Sequence, residues 1–562
     1  MRCVVDIETD GLVDDVKAVH CIVAKDISTN KVYTFKEDEC YNEFPEFSKN
    51  IDNYIMHNGV SFDARILNKF NIATITPTKV TDTLLLSQLL YPELEGGHSL
   101  EAWGERFNSP KKKYEDFKTY SSEMLEYCKQ DVEITHKLNK YINKKLHTCP
   151  QQVINLEHEV RAIIDQQETN GFMLDEKKAS LLVARFIDDC SMLEEEFQKI
   201  FPPITHKRVS EKTGKSLRDR VEVFNPASRK QIAERLQVLG WKPKKKTDKG
   251  NVIVDEGVLN KINLHEAKLL SKYLLLQKRI VQINSWRKLA DERGRVHGRV
   301  MTLRTVTGRM AHHSPNMAQV PASYSPYGKE CRECWTVEDP THYVLVGTDA
   351  SQLEIRCLAH YMNDPEFTKE ILNGDIHSSN QKMAGLETRD QAKTFIYAMM
   401  YGAGSAKIGT IVGGTEEGME DFELRNLGDK LIKKFMRSLP SFKHLKSSVE
   451  EASKSGKIKG LDGRPLTIRS YYKALNTLIQ GAGSIICKTW LVFMMKKVYA
   501  YDLDVRLVAS VHDEYQFEVR KDHVPEFCNI TTHTIKEAEK ILKLKCPMQS
   551  NYKIGRTWAD TH

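Results

Sequence analysis

Apolar and polar positions fall into distinct regimes along the 562 residues. Near the N-terminus, Cys3–Glu8 is a mostly apolar run that reaches Asp10 and Gly11, which predicts a strand entering a turn. Helical spacing follows in Ala64–Phe70, Met124–Leu138, Glu157–Gln167, Leu181–Ile200 and Lys268–Leu289. Further on, the apolar run His342–Asp349 predicts a strand, and Leu353–Tyr361 a helix. Val505–Ala509 and Tyr515–Val519 read as two strands around Ser510–Glu514, with Tyr515, Phe517 and Val519 sharing one face. The best apolar stretch, Trp490–Met495, stops at Lys496 and Lys497, short of the ~18 residues of a membrane span. Length and pattern together predict three or four domains.

Composition narrows the class. Hydrophobic residues make up 40% and charged residues 28%, which excludes a disordered, collagen-like or disulfide-scaffold chain. No basic-then-apolar signal and no Arg/Ser-rich transit segment precedes the first strand, so no export or organelle import is expected. The twelve cysteines sit mostly in apolar contexts and are expected to be buried free thiols. Cys331 and Cys334 form a lone CxxC without a second ligand pair, and structural burial is expected there rather than metal. The net charge of +7 is small but unevenly placed: residues 1–150 hold 19 basic and 24 acidic side chains, residues 201–250 hold 14 and 5. An acidic N-terminal domain followed by a basic stretch, which includes Lys244–Lys246, fits a metal-dependent nuclease beside a nucleic-acid grip.

The acids of the first third fall in a pattern. Strand alternation places Asp6 and Glu8 on one face, where two carboxylates repel unless a cation lies between them. Asp63 falls at the start of a helix, and Tyr127 and Asp131, four apart, share one face of another. In this order and spacing they resemble the DEDDy 3′–5′ exonucleases, which have a ribonuclease-H-like fold. The resemblance implies that Asp6, Glu8, Asp63 and Asp131 hold two divalent ions while Tyr127 orients the attacking water.

A second constellation lies in the C-terminal half. Asp349 ends a predicted strand, and Asp513 and Glu514 fall at a predicted hairpin tip. Between them Arg389, Lys393, Tyr397 and Tyr401 recur every four residues, so two cations and two aromatics form one stripe on a helix, suited to a nucleoside triphosphate. These segments resemble motifs A, B and C of the family A DNA polymerases, most of all the replicative enzymes of short-tailed lytic phages of the T-seven type. Thr307–Arg309, Pro315–Pro321, Ser325–Gly328, Asn476–Gln480, Asp82–Leu84 and Leu100–Gly104 extend the likeness over the whole chain. The separate 5′ nuclease that many bacterial members carry in front is not expected here.

The resemblance implies an α/β exonuclease domain joined to an α+β right-hand polymerase, with helical thumb and fingers and an antiparallel palm sheet. The expected bounds are 1–150 exonuclease, 151–300 thumb, 301–362 palm, 363–475 fingers and 476–562 palm again. It implies DNA synthesis from dNTPs on a primer–template, with proofreading. Asp349, Asp513 and the Ala350 carbonyl would hold two Mg²⁺ ions, for which Mn²⁺ can substitute, with Glu514 a supporting acid. Arg389, Lys393 and His377 would bind the triphosphate, Lys393 also protonating pyrophosphate. Glu354 would exclude a ribose 2′-OH, Gln352 would help line the nucleotide site, and Tyr397 would admit dideoxynucleotides. Tyr401 and Gly402 would form the floor under the templating pair. Arg309, Asn316, Gln319, Gln480 and His512 would touch primer–template. The stretch Phe201–Val223 (Lys207, Arg208, Lys212, Lys215, Arg218, Arg220) is too short for an independent domain, so a flexible DNA-touching loop is expected there and no thioredoxin partner. A phage helicase–primase and a single-strand-binding protein are the expected accessory partners, and the cytoplasm of an infected bacterium the expected place.

Overall fold

The computed structural model describes residues 1–209, 214, 216–243, 246–412 and 421–562. Lys212, Lys215, Lys244 and Lys245 therefore lie outside the described residues.

The N-terminal domain is built on a five-stranded sheet of β1 (Arg2–Thr9), β2 (Val19–Asp26), β3 (Val32–Lys36), β4 (Asn53–Met56) and β5 (Val80–Asp82), in the order β3-β2-β1-β4-β5. The first three strands are antiparallel; β4 and β5 run parallel to β1. Helix α1 (Asp63–Lys69) follows β4, and the long helix α2 (Ser122–Leu146) lies across β1 and β2. Ser121 caps α2 by accepting from the Met124 amide at 3.0 Å. Met124, Cys128 and Val132 of α2 pack with Val4, Cys21 and Val23 of the sheet, which sets Tyr127 and Asp131 over β1.

Helix α3 (Gln151–Asn170) leads out of this domain. Helices α4 (Glu176–Ile200) and α5 (His265–Leu289) then pack together around a second core. Between them Ile204–Val209 pairs antiparallel with Ser216–Glu222. The expected flexible loop is thus a β-ribbon, exposing His206, Lys207, Arg208, Arg218 and Arg220. At the base of this unit, Phe172–Leu174, Arg295–Val296 and Trp335–Thr336 form a small sheet. Cys331 and Cys334 are buried there beside Trp335. All twelve cysteines are free and buried.

The C-terminal sheet consists of β6 (Tyr343–Ala350), β7 (Val505–Val511), β8 (Glu514–Arg520) and β9 (Ser550–Gly555), ordered β7-β8-β6-β9 and wholly antiparallel. Helix α6 (Leu353–Met362) continues from β6. Helices α7 (Ile376–Ala384) and α8 (Arg389–Met400) belong to a helical insertion packed on the same core. That core is threaded by α9 (Ala474–Ala500).

The α9 region corrects one reading of the sequence. Tyr471–Ala500, with a mean hydropathy of 1.4, is long and apolar enough to cross a membrane, although no contiguous apolar run reaches that length. Its most apolar 18-residue window is 89% buried inside the protein, so its apolarity serves a core helix. Its one deeply buried cation, Lys488, is neutralised by Glu157 of α3 at 2.7 Å. Arg464 joins the same Glu157 at 2.6 Å and Asp462 at 2.7 Å. This buried ion cluster fixes α3, α9 and the 457–467 hairpin as one unit, since no partner can leave without stranding a charge.

Candidate functional site

Two carboxylate centres emerge, one on the N-terminal sheet and one on the C-terminal sheet. In the first, Asp6 and Glu8 lie on β1, opposite Val23 and Cys21 of β2. Asp63 is the first residue of α1 and is buried. Asp131 projects from α2 and is buried as well. Ligand atoms of Asp6, Glu8 and Cys128 lie within 4.8 Å of one another. The Cys128 thiol is 3.4 Å from Asp6 Oδ2.

The electrostatics show how costly this arrangement is. Desolvation, then Asp131, Glu8 and Asp63, push Asp6 well above the usual carboxylate range. Glu8 is pushed up to about 9, by burial first. Asp63 rises to about 7, mainly by burial, although its own amide and that of Ile7 oppose the rise. Burial also raises Asp131, against the pull of Lys111.

Lys111 and Cys128 are the two residues that sequence reasoning missed here. The Lys111 ammonium is 2.6 Å from Asp131 Oδ2 and 4.7 Å from the Tyr127 ring centroid. Asp131 Oδ1 is buried with no hydrogen-bond partner. An oxygen-rich cluster of mutually repelling carboxylates with one orphaned oxygen fits hard divalent cations.

The second centre sits where β6 ends. Asp349 pairs in register with Glu514, and the Ala350 amide donates to the Asp513 carbonyl at 3.1 Å. His512 and Asp513 form the two-residue connection between β7 and β8, with His512 in the left-handed region (φ 58°). The sheet register thus brings Asp513 beside Asp349. Desolvation, then Asp513 and Glu514, raise Asp349; burial raises Asp513.

Facing these acids is α8. Thr388 and Gln391 form a reciprocal capping box at its start. Ala392, Phe395, Ile396, Met399 and Met400 bury its inner face, leaving the Arg389–Lys393–Tyr397 stripe toward the acids. Tyr401 is the C-cap residue, and Gly402 (φ 70°) follows it, so close to Tyr472 that a Cβ there would lie 2.2 Å from its carbonyl oxygen. One cavity of about 410 Å³ is lined by Asp349, Ala350, Gln352, Leu353, Glu354, His377, Arg389, Lys393, Tyr397 and Asp513. Residues up to 164 positions apart in the chain meet around it.

The remaining candidates lie elsewhere. Glu514 does not line the cavity. Its Oε1 accepts from Trp558 Nε1 and Gln516 Nε2, both at 2.6 Å, and its Oε2 meets His562 Nδ1 at 2.8 Å. Tyr401 donates to Glu354 Oε2 at 2.5 Å and Arg309 to Oε1 at 2.6 Å, so Glu354 is held from two sides. Arg309, His512 and Asp513 border a small cavity of about 30 Å³ under the hairpin. Asn316, Gln319 and Gln480 line neither cavity. Asn316 Oδ1 is buried without a partner, Gln319 is exposed and Gln480 is half-buried. Arg389 is held bidentately by Asp375, at 2.7 and 3.2 Å, a contact with no signal in the sequence.

Comparison with known proteins shows the family. The family model for DNA polymerase family A matches residues 203–560, and that for a 3′–5′ exonuclease matches residues 3–147. The chain is 31% identical to the DNA-directed DNA polymerase of Escherichia phage T7 and 30% identical to that of Enterobacteria phage T3, with 99% of each chain covered in both cases. The fold is similar to the POL domain of Pol1 from M. smegmatis, with a TM-score of 0.83 at 17% identity, covering 100% of this chain and 97% of that one. Both families depend on divalent metal ions. The chain belongs to the family A DNA polymerases: it is a DNA-directed DNA polymerase of the phage T7 and T3 kind that carries a 3′–5′ exonuclease domain.

Proposed function

We propose that the 410 Å³ cavity is the polymerising centre and the Asp6–Glu8–Asp63–Asp131 cluster the proofreading centre of one replicase. The observation that carries the first half is the convergence of three acids, three basic side chains and Tyr397 on one cavity. A triphosphate would lie along Arg389, Lys393 and His377, with Lys393, which makes no ion pair among the described residues, protonating the departing pyrophosphate. Asp349, Asp513 and the Ala350 carbonyl would hold two Mg²⁺ ions, and the four N-terminal acids another two, with Mn²⁺ able to substitute. Bound there, the ions lower the pKa of the primer 3′-OH or of the attacking water and neutralise the leaving group. Glu354, fixed by Arg309 and Tyr401, would press on the sugar and reject a 2′-OH. Tyr401 and Gly402 would lie under the templating pair. Arg309, Asn316, Gln319, Gln480 and His512 would contact primer–template. Glu514, engaged by Trp558, Gln516 and His562, would hold the hairpin that presents Asp513. Tyr127 would orient the water of the exonuclease.

We divide the chain at 1–150, 151–300, 301–362, 363–475 and 476–562. Helix α3, at the start of the second segment, also packs into the C-terminal core through Val160, Ile163 and Ile164. The basic ribbon would track the duplex backbone, with no thioredoxin needed. The neighbour in M. smegmatis is bound to primer–template and dNTP, which supports the same partners here. A helicase–primase, a single-strand-binding protein and the cytoplasm of an infected bacterium complete the reading, supported by the two phage relatives. The test is a labelled primer–template with Mg²⁺: extension is expected with dNTPs and degradation without them. A chain that did neither would overturn the assignment.

A further inference from the structure

Lys111 belongs to none of the elements that carry the exonuclease acids. It sits in the irregular stretch between the helix Leu100–Arg106 and α2. Yet its ammonium reaches the cluster, at 2.6 Å from Asp131 Oδ2, and lies over the Tyr127 ring. Its side chain is 26% exposed, that of Asp131 only 4%. Lys112 and Lys113, the next two residues, are exposed instead. One lysine of three has been drawn into the site.

That position is exclusive in a simple sense. An ammonium at hydrogen-bond distance occupies the direction from which a cation would approach Asp131 Oδ2. Only Oδ1 is left open, and it has no partner. The cluster holds four carboxylates with repulsive influence on one another, and Lys111 is the cation that acts on Asp6, Glu8 and Asp131 alike. We propose that Lys111 is a resident counter-cation of the exonuclease centre: it occupies Asp131 in the metal-free protein and gives it up when a divalent ion enters, so it sets the ion concentration at which proofreading is armed. This rests on the exonuclease reading given above. A ligand that binds only the opened form has its affinity reduced by the fraction of that form. A pair closed about ten times in eleven would therefore weaken metal binding about tenfold. Lys111 acts through Asp131 and is a positioning residue.

The test reads metal binding and lysine exposure, not catalysis. In a full-length Asp349→Asn/Asp513→Asn chain, Mn²⁺ is titrated with free Mn²⁺ followed by electron paramagnetic resonance. Lys111→Met is expected to bind about tenfold more tightly (about 1.4 kcal/mol), and Lys111→Arg to stay within about twofold of the parent. Unchanged or weaker binding by Lys111→Met overturns the proposal. A second measurement needs no substitution at Lys111: reductive methylation of the lysines, read by mass spectrometry. Labelling of Lys111 should rise several-fold on adding Mn²⁺ while Lys112 and Lys113 stay constant. Lys111 labelling that does not rise also overturns it. If Asp6→Ala/Glu8→Ala binds as many Mn²⁺ ions as the parent, the exonuclease reading itself has failed, and that failure is distinguishable because it does not involve Lys111.

Discussion

In the exonuclease domain, four acids are enclosed between a sheet and a helix, and the cation that meets them comes from a loop. In the palm, two acids stand at a strand end and a hairpin turn, across an open cavity from Arg389, Lys393 and His377. The first centre packs its charge tightly and pushes Glu8 up to about 9. The second spreads its charge and shares the cavity with side chains of opposite sign. The difference matches what each must hold. On the proposed assignment, a primer end entering the first centre would bring one scissile phosphate, while a dNTP would bring three to the second, whose own cations would receive them.

The largest expected effect separates the two centres. Asp513→Ala should reduce primer extension by about 10³-fold or more, since a lost metal ligand removes several kcal/mol of transition-state stabilisation. Degradation should persist. Asp6→Ala with Glu8→Ala should do the reverse, abolishing degradation and sparing extension. A gel assay with one labelled primer reads both. If the N-terminal pair also stopped extension, the two centres would not be separate.

The next test uses pH. In metal-free protein the folded exonuclease domain keeps protons on Glu8 and Asp63 that the unfolded chain releases above about 4. Between about 4 and 9 the native state therefore binds more protons, and stability falls as pH rises. The stability these groups contribute is full below about 4 and is lost as pH passes about 7 for Asp63 and about 9 for Glu8. Hydrogen exchange of β1 and α2 should show protection dropping from pH 6 to pH 8.5 in EDTA, by the equivalent of a few kcal/mol, and recovering with a divalent ion. His57, lowered to about 4 by burial, works the other way, adding stability as pH rises from about 4 to about 6.5. A flat profile across β1 and α2 would mean that the cluster is less enclosed than its geometry indicates. The palm strands should respond less, because Asp349 and Asp513 face an open cavity.

What was legible in the sequence follows the same divide. Features fixed by short-range periodicity could be read directly: Asp6 and Glu8 by strand alternation, the Arg389–Tyr401 stripe by helical spacing, and the two strands around Asp513. Contacts made by chain closure could not. Lys111 reaches Asp131 from a loop with no period. Cys128 is one residue from Tyr127 yet turns into the helix–sheet interface toward Asp6. Trp558 and His562 arrive from the C-terminal end to claim Glu514, and Asp375 meets Arg389 from the start of the preceding helix. Helix α9 shows the opposite limit: burial on every side removed the polar face that would have marked it as amphipathic.

A smaller effect concerns the sugar. Tyr397 lies in the palm cavity, and burial, then Glu354 and Asp513, push its hydroxyl up to about 12, so it stays a hydrogen-bond donor at any working pH. If that hydroxyl replaces the one missing from a dideoxynucleotide, Tyr397→Phe should lower dideoxynucleotide incorporation about 10- to 100-fold relative to dNTP. Single-nucleotide kinetics give the ratio. Equal use of dideoxynucleotides by the variant would remove Tyr397 from this role.

The smallest effect makes the two centres comparable. Arg389, like Lys111, is paired with a carboxylate, but its partner Asp375 is no metal-ligand candidate. Ser378 and the His377 amide also bind Asp375, at 2.7 and 3.1 Å, which keeps its carboxylate well below the usual range, with Arg389 the main cause. Asn at this position keeps the acceptor that caps α7 and loses the charge. If the incoming triphosphate has to take Arg389 from Asp375, Asp375→Asn should lower KM for dNTP about threefold with kcat unchanged, a small change because the pair is exposed to water. If Asp375 instead aims Arg389 at the phosphates, KM should rise by a similar factor. A fall would show both centres holding a cation in reserve until their ligand arrives, metal in one and nucleotide in the other. A rise would leave Lys111 as the only cation held that way and make the palm a site already set for its substrate.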